Sequence, residues 1–125
     1  MEREIKFRGK RIDNREWIYG YAIYNQWHNT YKIDTGLYGV SSATVDPSTI
    51  GQYTGLKDHN ENDLYEGDVF TVGANKKVFE CRFERGCFVA YLDGKQYGII
   101  GELHEMYIKV IGNIHEHPEL LKQQQ

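Results

Sequence analysis

Residues 52–72 read QYTGLKDHNENDLYEGDVFTV, and this stretch organises the rest of the chain. Its centre is acidic and rich in turn-forming residues, because Asp and Asn side chains hydrogen-bond their own backbone and Gly accepts a positive φ. We expect residues 58–67 to be a fixed joint between an N-terminal β lobe, 1–57, and a C-terminal β lobe, 68–125. Apolar side chains are expected to anchor the two ends of the joint: Tyr53, Leu56, Leu64, Tyr65 and Val69.

The same centre begins like a calcium-binding loop and then departs from one. Side chains that carry oxygen or nitrogen run from Asp58, but the sixth position is Asp63, where the sharp turn needs Gly. The twelfth position is Val69, where a bidentate Glu belongs. We therefore interpret the segment as a solvated turn and predict neither a metal ion nor a cofactor.

The composition favours strands and tight turns over helices. The 125 residues include ten Tyr, five Phe, two Trp and 13 Gly but only two Pro, and aromatic residues are enriched in strands. Residues 37–50 give weak signals. Arg85-Gly86 predicts a chain reversal, and Asp93-Gly94 is the strongest hairpin signal. Short strands are predicted at 4–10, 17–24, 31–33, 68–72, 77–85, 87–92, 96–100 and 107–114.

These strands predict an all-β fold. The regular spacing in the second half favours a C-terminal lobe that is a barrel-like antiparallel sheet, following a short-stranded N-terminal β lobe. A short helix is predicted at His117–Leu121, with Pro118 in its first turn.

The strand at 17–24 carries apolar bulk on both faces. Trp17, Tyr19, Tyr21 and Ile23 alternate on one face, whereas Ile18, Ala22 and Tyr24 lie on the other. A strand of this kind is covered on both sides or lies at a subunit contact.

No complete catalytic or metal-binding constellation is present in the sequence. Cys81, Cys87 and His104 have no motif spacing, and His115 and His117 lack the partners that a zinc site requires. We predict no enzyme activity and no catalytic, cofactor-binding or metal-binding residue. Since no apolar leader or membrane-spanning run occurs, we expect a cytoplasmic protein with reduced thiols.

The basic residues at the start of the chain have two interpretations. They can contact phosphates while exposed aromatic residues such as Trp27 and Tyr31 stack on bases, or they can form the wet face of an edge strand. Acidic residues interleave with them, and the net charge of the chain is −3, which favours the second interpretation. The basic residues are Arg3, Lys6, Arg8, Lys10, Arg11 and Arg15.

Three segments resemble the YopX family of phage and prophage proteins from mainly Gram-positive bacteria. They are EIKFR at 4–8, the stretch from QYTGLKD at 52–58 through YEGDV at 65–69, and VIGNIHEHPELL at 110–121. Where members often have Lys-Asn-Gly in the central turn, this chain has HNEN at 59–62. The resemblance implies a mostly β fold, a phage or prophage origin and self-association, but no catalytic or binding residue.

We therefore expect a non-enzymatic phage accessory protein in the bacterial cytoplasm. It would act by self-assembly as a homo-oligomer or by binding a host or phage protein, without a membrane partner. The alternative is a nucleic-acid-binding module that uses the basic N-terminal strand and exposed aromatic residues.

Overall fold

The computed structural model describes residues 4–36, 41–74, 77–103 and 106–122. The chain divides into two compact units, residues 1–53 and 54–125. The acidic segment 58–67 lies wholly within the second unit. No helix among the described residues is long and apolar enough to cross a membrane.

The first unit is built on an antiparallel sheet. Its strands are β1 (Phe7–Lys10), β2 (Trp17–Asn25), β3 (Thr30–Asp34), β4 (Ser42–Val45) and the start of β5 (Gly51–Lys57). Their order across the sheet is β4-β3-β2-β1-β5. A single 3-10 turn, Pro47–Thr49, links β4 to β5, because the Asp46 carboxylate accepts a hydrogen bond from the Ser48 N–H.

The second unit contains a further antiparallel sheet and two short helices. Its elements are the end of β5, β6 (Asp63–Tyr65), β7 (Asp68–Val72), β8 (Val78–Glu84), β9 (Cys87–Leu92), β10 (Lys95–Ile99), α1 (Ile100–Leu103), β11 (Ile108–Asn113) and α2 (Glu119–Lys122). Strands β7 to β11 form the sheet in the order β10-β9-β8-β7-β11, and β6 follows β5 in the first sheet.

The core of the second unit lies on one face of its sheet. Alternate residues of β7 and β8 point to the same side, so Phe70 and Phe79 meet with ring centroids 5.7 Å apart. Leu64 of β6 and both apolar ends of α1 complete the buried cluster, whose members are Leu64, Phe70, Val72, Phe79, Cys81, Ala90, Ile100, Leu103 and Ile108.

Two tight hairpins connect β8 to β9 and β9 to β10. The first turn places Arg85 and Gly86 at φ values of 51° and 81°, and the second places Asp93 and Gly94 at 52° and 78°. Two successive positive φ values match the right-handed twist of paired strands. The hairpin predicted at Asp93-Gly94 is therefore confirmed.

The all-β fold and the short C-terminal helix are confirmed, but the expected barrel is wrong. In the described part of the second sheet, β10 and β11 are opposite edges and do not pair with each other, so the sheet is open. Helix α1 follows β10 directly and buries Ile100 and Leu103 against the core. The apolar face is thus covered by a helix, which removes the need for the sheet to close upon itself.

The sequence patterns underestimate the strands around the acidic segment. Neither β5 nor β6 is among the predicted strands, and β4 falls in the range with weak signals. Strand β5 contains Gly51 and Gly55, and glycine is depleted in strands. Its conformation depends on pairing with β1, where Arg8 lies opposite Gly51 and Phe7 opposite Gln52.

Candidate functional site

The carboxylate of Asp58 is the centre of the acidic turn. Asp58 is only 5% exposed, so the interpretation of the whole segment as solvated is wrong at this residue. Its Oδ1 accepts hydrogen bonds from the backbone N–H groups of Asn60 and Asn62, at 2.9 and 2.8 Å. Its Oδ2 accepts from the Val110 N–H at 2.9 Å and from the Asn62 side-chain amide at 3.3 Å.

These four donors determine the chemistry of the carboxylate. Both oxygens face N–H hydrogens, which is the opposite of the arrangement that binds a cation. Burial by itself raises the pKa of Asp58, but the hydrogen bonds from Val110, Asn62 and Asn60 together outweigh it and the pKa is lowered. The turn is therefore organised around a buried carboxylate that stays ionised.

The turn also covers the outer edge of β11. The N–H of His59 donates a hydrogen bond to the carbonyl oxygen of Ile108 at 2.7 Å. Two residues further along β11, the Val110 N–H donates to the Asp58 carboxylate. The His59 ring stacks on Tyr107 with centroids 3.6 Å apart. An open sheet edge invites pairing with other chains, so this segment protects the sheet.

The segment 110–121 has a similar structural role. Asn113 is buried, and its Oδ1 accepts from the N–H groups of His115 and Glu116 at 3.0 and 2.9 Å. Its amide donates to Glu116 Oε1 at 3.0 Å, and its own N–H donates to Nδ1 of His117 at 3.3 Å. The histidines expected to lack a zinc site thus belong to the turn that precedes α2.

The stretch 65–69 meets this turn in the sheet. Asp68 lies opposite Asn113 in the pairing of β7 with β11, and the Ile114 N–H donates to the carbonyl of Gly67 at 2.9 Å. Asp68 Oδ2 accepts from the Tyr65 N–H at 2.8 Å. Most residues that carry the family resemblance therefore act through backbone turns and strand pairing.

The two cysteines lie in different environments within the second unit. Cys81 is fully buried within the core, whereas Cys87 is half-buried at the start of β9, and neither forms a disulfide. His104 lies outside the described residues. Within the described ranges, no group of three or more His, Cys, Asp or Glu side chains is arranged to hold a metal ion.

A groove of about 630 Å³ lies on the second unit between α2 and the β9–β10 hairpin. On its floor the Arg82 guanidinium lies 4.0 Å from the centroid of the Tyr91 ring and donates to Glu80 Oε1 at 3.1 Å. The Tyr91 hydroxyl donates to Glu84, and this hydrogen bond raises the pKa of the phenol. The lining residues are Glu80, Arg82, Tyr91, Asp93, Gly94, Pro118, Leu121 and Lys122.

These contacts define what the groove can do. The Arg82 guanidinium stacks on Tyr91 and is ion-paired with Glu80, and the Tyr91 hydroxyl is hydrogen-bonded to Glu84. This part of the groove is therefore a network of ion pairs and hydrogen bonds. A Ser, Cys or His is absent from the lining residues, which leaves the groove without a nucleophile paired to a base.

The basic N-terminal strand differs from the expected wet edge strand. Strand β1 lies between β2 and β5, so the prediction of an edge is wrong. Arg8 and Lys10 are 6% and 9% exposed, and their charged groups lie 4.6 and 5.5 Å from the Trp17 ring. Lys6 lies 4.8 Å from the Tyr53 ring. Arg3 is outside the described residues.

Strand β2 presents a row of exposed large side chains, which we call the β2 patch. It consists of Tyr19, Tyr21 and Ile23, with exposed fractions of 48%, 60% and 49%. Alternation along a strand places the three on one face, as the sequence predicted. The register puts Lys32 opposite Ile23 and Asp34 opposite Tyr21, so both charges border the patch on the same face.

The two aromatic residues expected to be exposed behave differently from each other. Trp27, in the turn after β2, is 86% exposed. Tyr31 is half-buried and packs against Tyr24 with ring centroids 4.9 Å apart. Tyr24 lies on the face of β2 opposite the patch, is 51% exposed, and its hydroxyl bonds to Asn29 at 2.9 Å.

A protein family and a solved structure resemble this chain over nearly its whole length. The sequence model described as YopX protein matches residues 6–122. Among solved structures, the crystal structure of protein EF1440 from Enterococcus faecalis is similar, with 26% sequence identity and a TM-score of 0.64. The match covers 96% of this chain and 99% of that one. No curated protein gives a significant match.

Proposed function

The chain belongs to the YopX family, and on that premise we propose that it is a non-enzymatic phage or prophage accessory protein that acts by assembling with copies of itself. It would work in the cytoplasm of the bacterial host. The observation that carries this proposal is the β2 patch.

Leaving such side chains in water is unfavourable. Fully burying one side chain of this size contributes roughly 1.5–3 kcal/mol, and the patch exposes about half of each of three. Tyr is also enriched at interfaces, where its ring is buried and its hydroxyl stays hydrated or bonded. A second protein surface placed over the patch would recover this energy.

The chemistry around the patch favours a protein partner over a nucleic acid. Stacking on bases is productive when nearby cations can reach the phosphates. The cations of β1 on this face, Arg8 and Lys10, are buried against Trp17. Beside Tyr21 and Ile23 the register places Asp34 and Lys32, so this part of the patch is an apolar surface bordered by a cation and a carboxylate.

Sedimentation velocity over a wide concentration range tests the proposal. We expect the wild-type protein to self-associate, and Tyr21→Ser to weaken self-association about tenfold or more, the effect of losing about 1.4 kcal/mol at an interface. Tyr24→Ser is the matched control, because it removes a Tyr of similar exposure, 51% against 60%, from the opposite face of the same strand.

A wild-type protein that stays monomeric at the highest concentration would refute self-assembly. Equal weakening by Tyr21→Ser and Tyr24→Ser would show that the assembly does not use the β2 patch.

A further inference from the structure

We infer that two copies of the chain pack face to face about a two-fold axis that crosses β2 between Tyr21 and Ile23, so that Lys32 of each copy lies opposite Asp34 of the other. This inference rests on the proposed self-assembly and specifies its geometry and the charges that determine it.

The sheet register determines which charged side chains lie beside the β2 patch. Because directly paired residues point to the same face, Lys32 lies beside Ile23 and Asp34 beside Tyr21. Lys32 is exposed and Asp34 is half-buried. The Asp34 carboxylate is held in place by a 2.8 Å hydrogen bond from the Gly36 N–H. One face thus carries an ordered pattern of cation and carboxylate next to Ile and Tyr.

A two-fold axis determines which of these side chains meet across the interface. An axis that lies in the interface, perpendicular to the strands, sets β3 of one copy against β3 of the other in the opposite direction. Contacts about such an axis are reciprocal, since residue i meets j and j meets i. An axis midway between Lys32 and Asp34 therefore gives two oppositely charged pairs, and on β2 it sets Tyr21 against Ile23 twice.

The neighbouring positions of the axis are unfavourable. An axis through Lys32 sets Lys32 against its own copy, and one through Asp34 sets two carboxylates together. Like charges brought together across an interface cost several kcal/mol. The midway axis is the one of the three that pairs opposite charges, and it also joins Tyr21 of each copy to Ile23 of the other. The resulting contact is closed and yields a dimer.

Charge reversal tests this geometry. Lys32→Asp sets acids against acids, and Asp34→Lys sets bases against bases, so each variant alone should dimerise at least tenfold more weakly than wild type. The double variant Lys32→Asp/Asp34→Lys restores opposite pairs and should dimerise again. Mixing the two single variants should form a heterodimer that neither forms alone, which sedimentation velocity with one labelled variant detects.

The outcomes separate this inference from the proposed function. If wild type assembles but the single variants assemble equally well, or the mixture shows no heterodimer, the two-fold pairing is wrong and self-assembly stands. If wild type is monomeric, both fail. If circular dichroism shows that Asp34→Lys does not fold, the dimerisation of Lys32→Asp is compared with that of Lys32→Ala. Reversing the charge must then weaken the dimer more than removing it, and equal effects would refute the pairing.

Discussion

Gly20 shows how one residue governs the approach of two strands. A Cβ added at this position would lie 2.1 Å from the carbonyl oxygen of Asp34, and the residue has a φ of 155°. The three nearest atoms all belong to the backbone of Asp34 and Thr35, so the two chain segments must separate to admit a methyl group. We expect Gly20→Ala to lower the free energy of unfolding by roughly 2–4 kcal/mol in urea titration.

Gly98→Ala is the control for this change. A Cβ at Gly98 meets no atom within 4 Å, and Gly98 also lies in a strand. It should alter stability by less than about 1 kcal/mol. Similar losses for the two variants would show that glycine content, and not the contact with Asp34, determines stability.

Asp58 makes stability depend on acid. Its folded-state pKa is lowered, while in the unfolded chain it is about 3.9. The stabilisation is therefore complete above the unfolded pKa and is lost as the pH falls through the lower folded value. We expect Asp58→Asn to cost about 2–3 kcal/mol at neutral pH, because a charged acceptor of four hydrogen bonds is lost.

The pH dependence of that cost is the measurement that identifies the carboxylate. The difference in free energy of unfolding between wild type and Asp58→Asn should shrink as the pH is lowered from about 6 to about 2. Asn60→Ala is the control, since the backbone N–H that donates to Asp58 remains. A constant difference across this range would mean that the ionised form is not what stabilises the turn.

At the scale of elements, Asn113 holds the turn between β11 and α2. It accepts two backbone hydrogen bonds and donates one to Glu116. We expect Asn113→Ala to destabilise the protein by about 2 kcal/mol, because buried N–H donors lose their acceptor. Asn113→Asp keeps the acceptor but sets a carboxylate against Glu116, so it should be destabilising as well, and less so at acidic pH.

The free energies of unfolding of both variants, measured by urea titration at neutral and acidic pH, test these two expectations. If Asn113→Asp were as stable as wild type at neutral pH, the contact with Glu116 would not contribute to the turn.

The elements differ in how well the sequence predicts them. Hairpins β8–β9 and β9–β10 are predictable, since Arg85-Gly86 and Asp93-Gly94 need only local positive φ values between alternating strands. Strands β5 and β6 are not, because their residues resemble turn formers and become strands only by pairing with neighbours. The open form of the second sheet also depends on α1, whose apolar ends cover the core.

At the scale of the whole molecule, the placement of charge bears on the nucleic-acid alternative. Arg8 and Lys10 are buried against Trp17, so few phosphates can be neutralised at this surface. We expect a single-stranded oligonucleotide to show no saturable binding in fluorescence anisotropy at roughly 50 mM salt. Tight binding that weakens steeply with added salt would instead support the nucleic-acid-binding module, and Trp27→Ala would then test base stacking.

The three sequence segments that resemble the YopX family do not include the candidate surface. Asp58 lies in the segment that runs from 52–58 through 65–69, and the Asn113 turn lies in the segment 110–121, which also supplies the Val110 N–H that donates to Asp58. The β2 patch lies at 19–23, outside all of them. Membership of the family therefore accounts for the fold, while the proposed function rests on exposed side chains.

The all-β class, the two glycine hairpins and the alternation of β2 are predictable from the sequence, because each depends on local conformational preference or on the two-residue period of a strand. The family is predictable from the three segments that resemble it. Three features became apparent only in the folded chain: the burial of Asp58, the interior position of β1, and the placement of Lys32 and Asp34 beside Ile23 and Tyr21. These features depend on which strands pair and in which register. Since the pairing involves residues far apart in the chain, local sequence patterns do not reveal it.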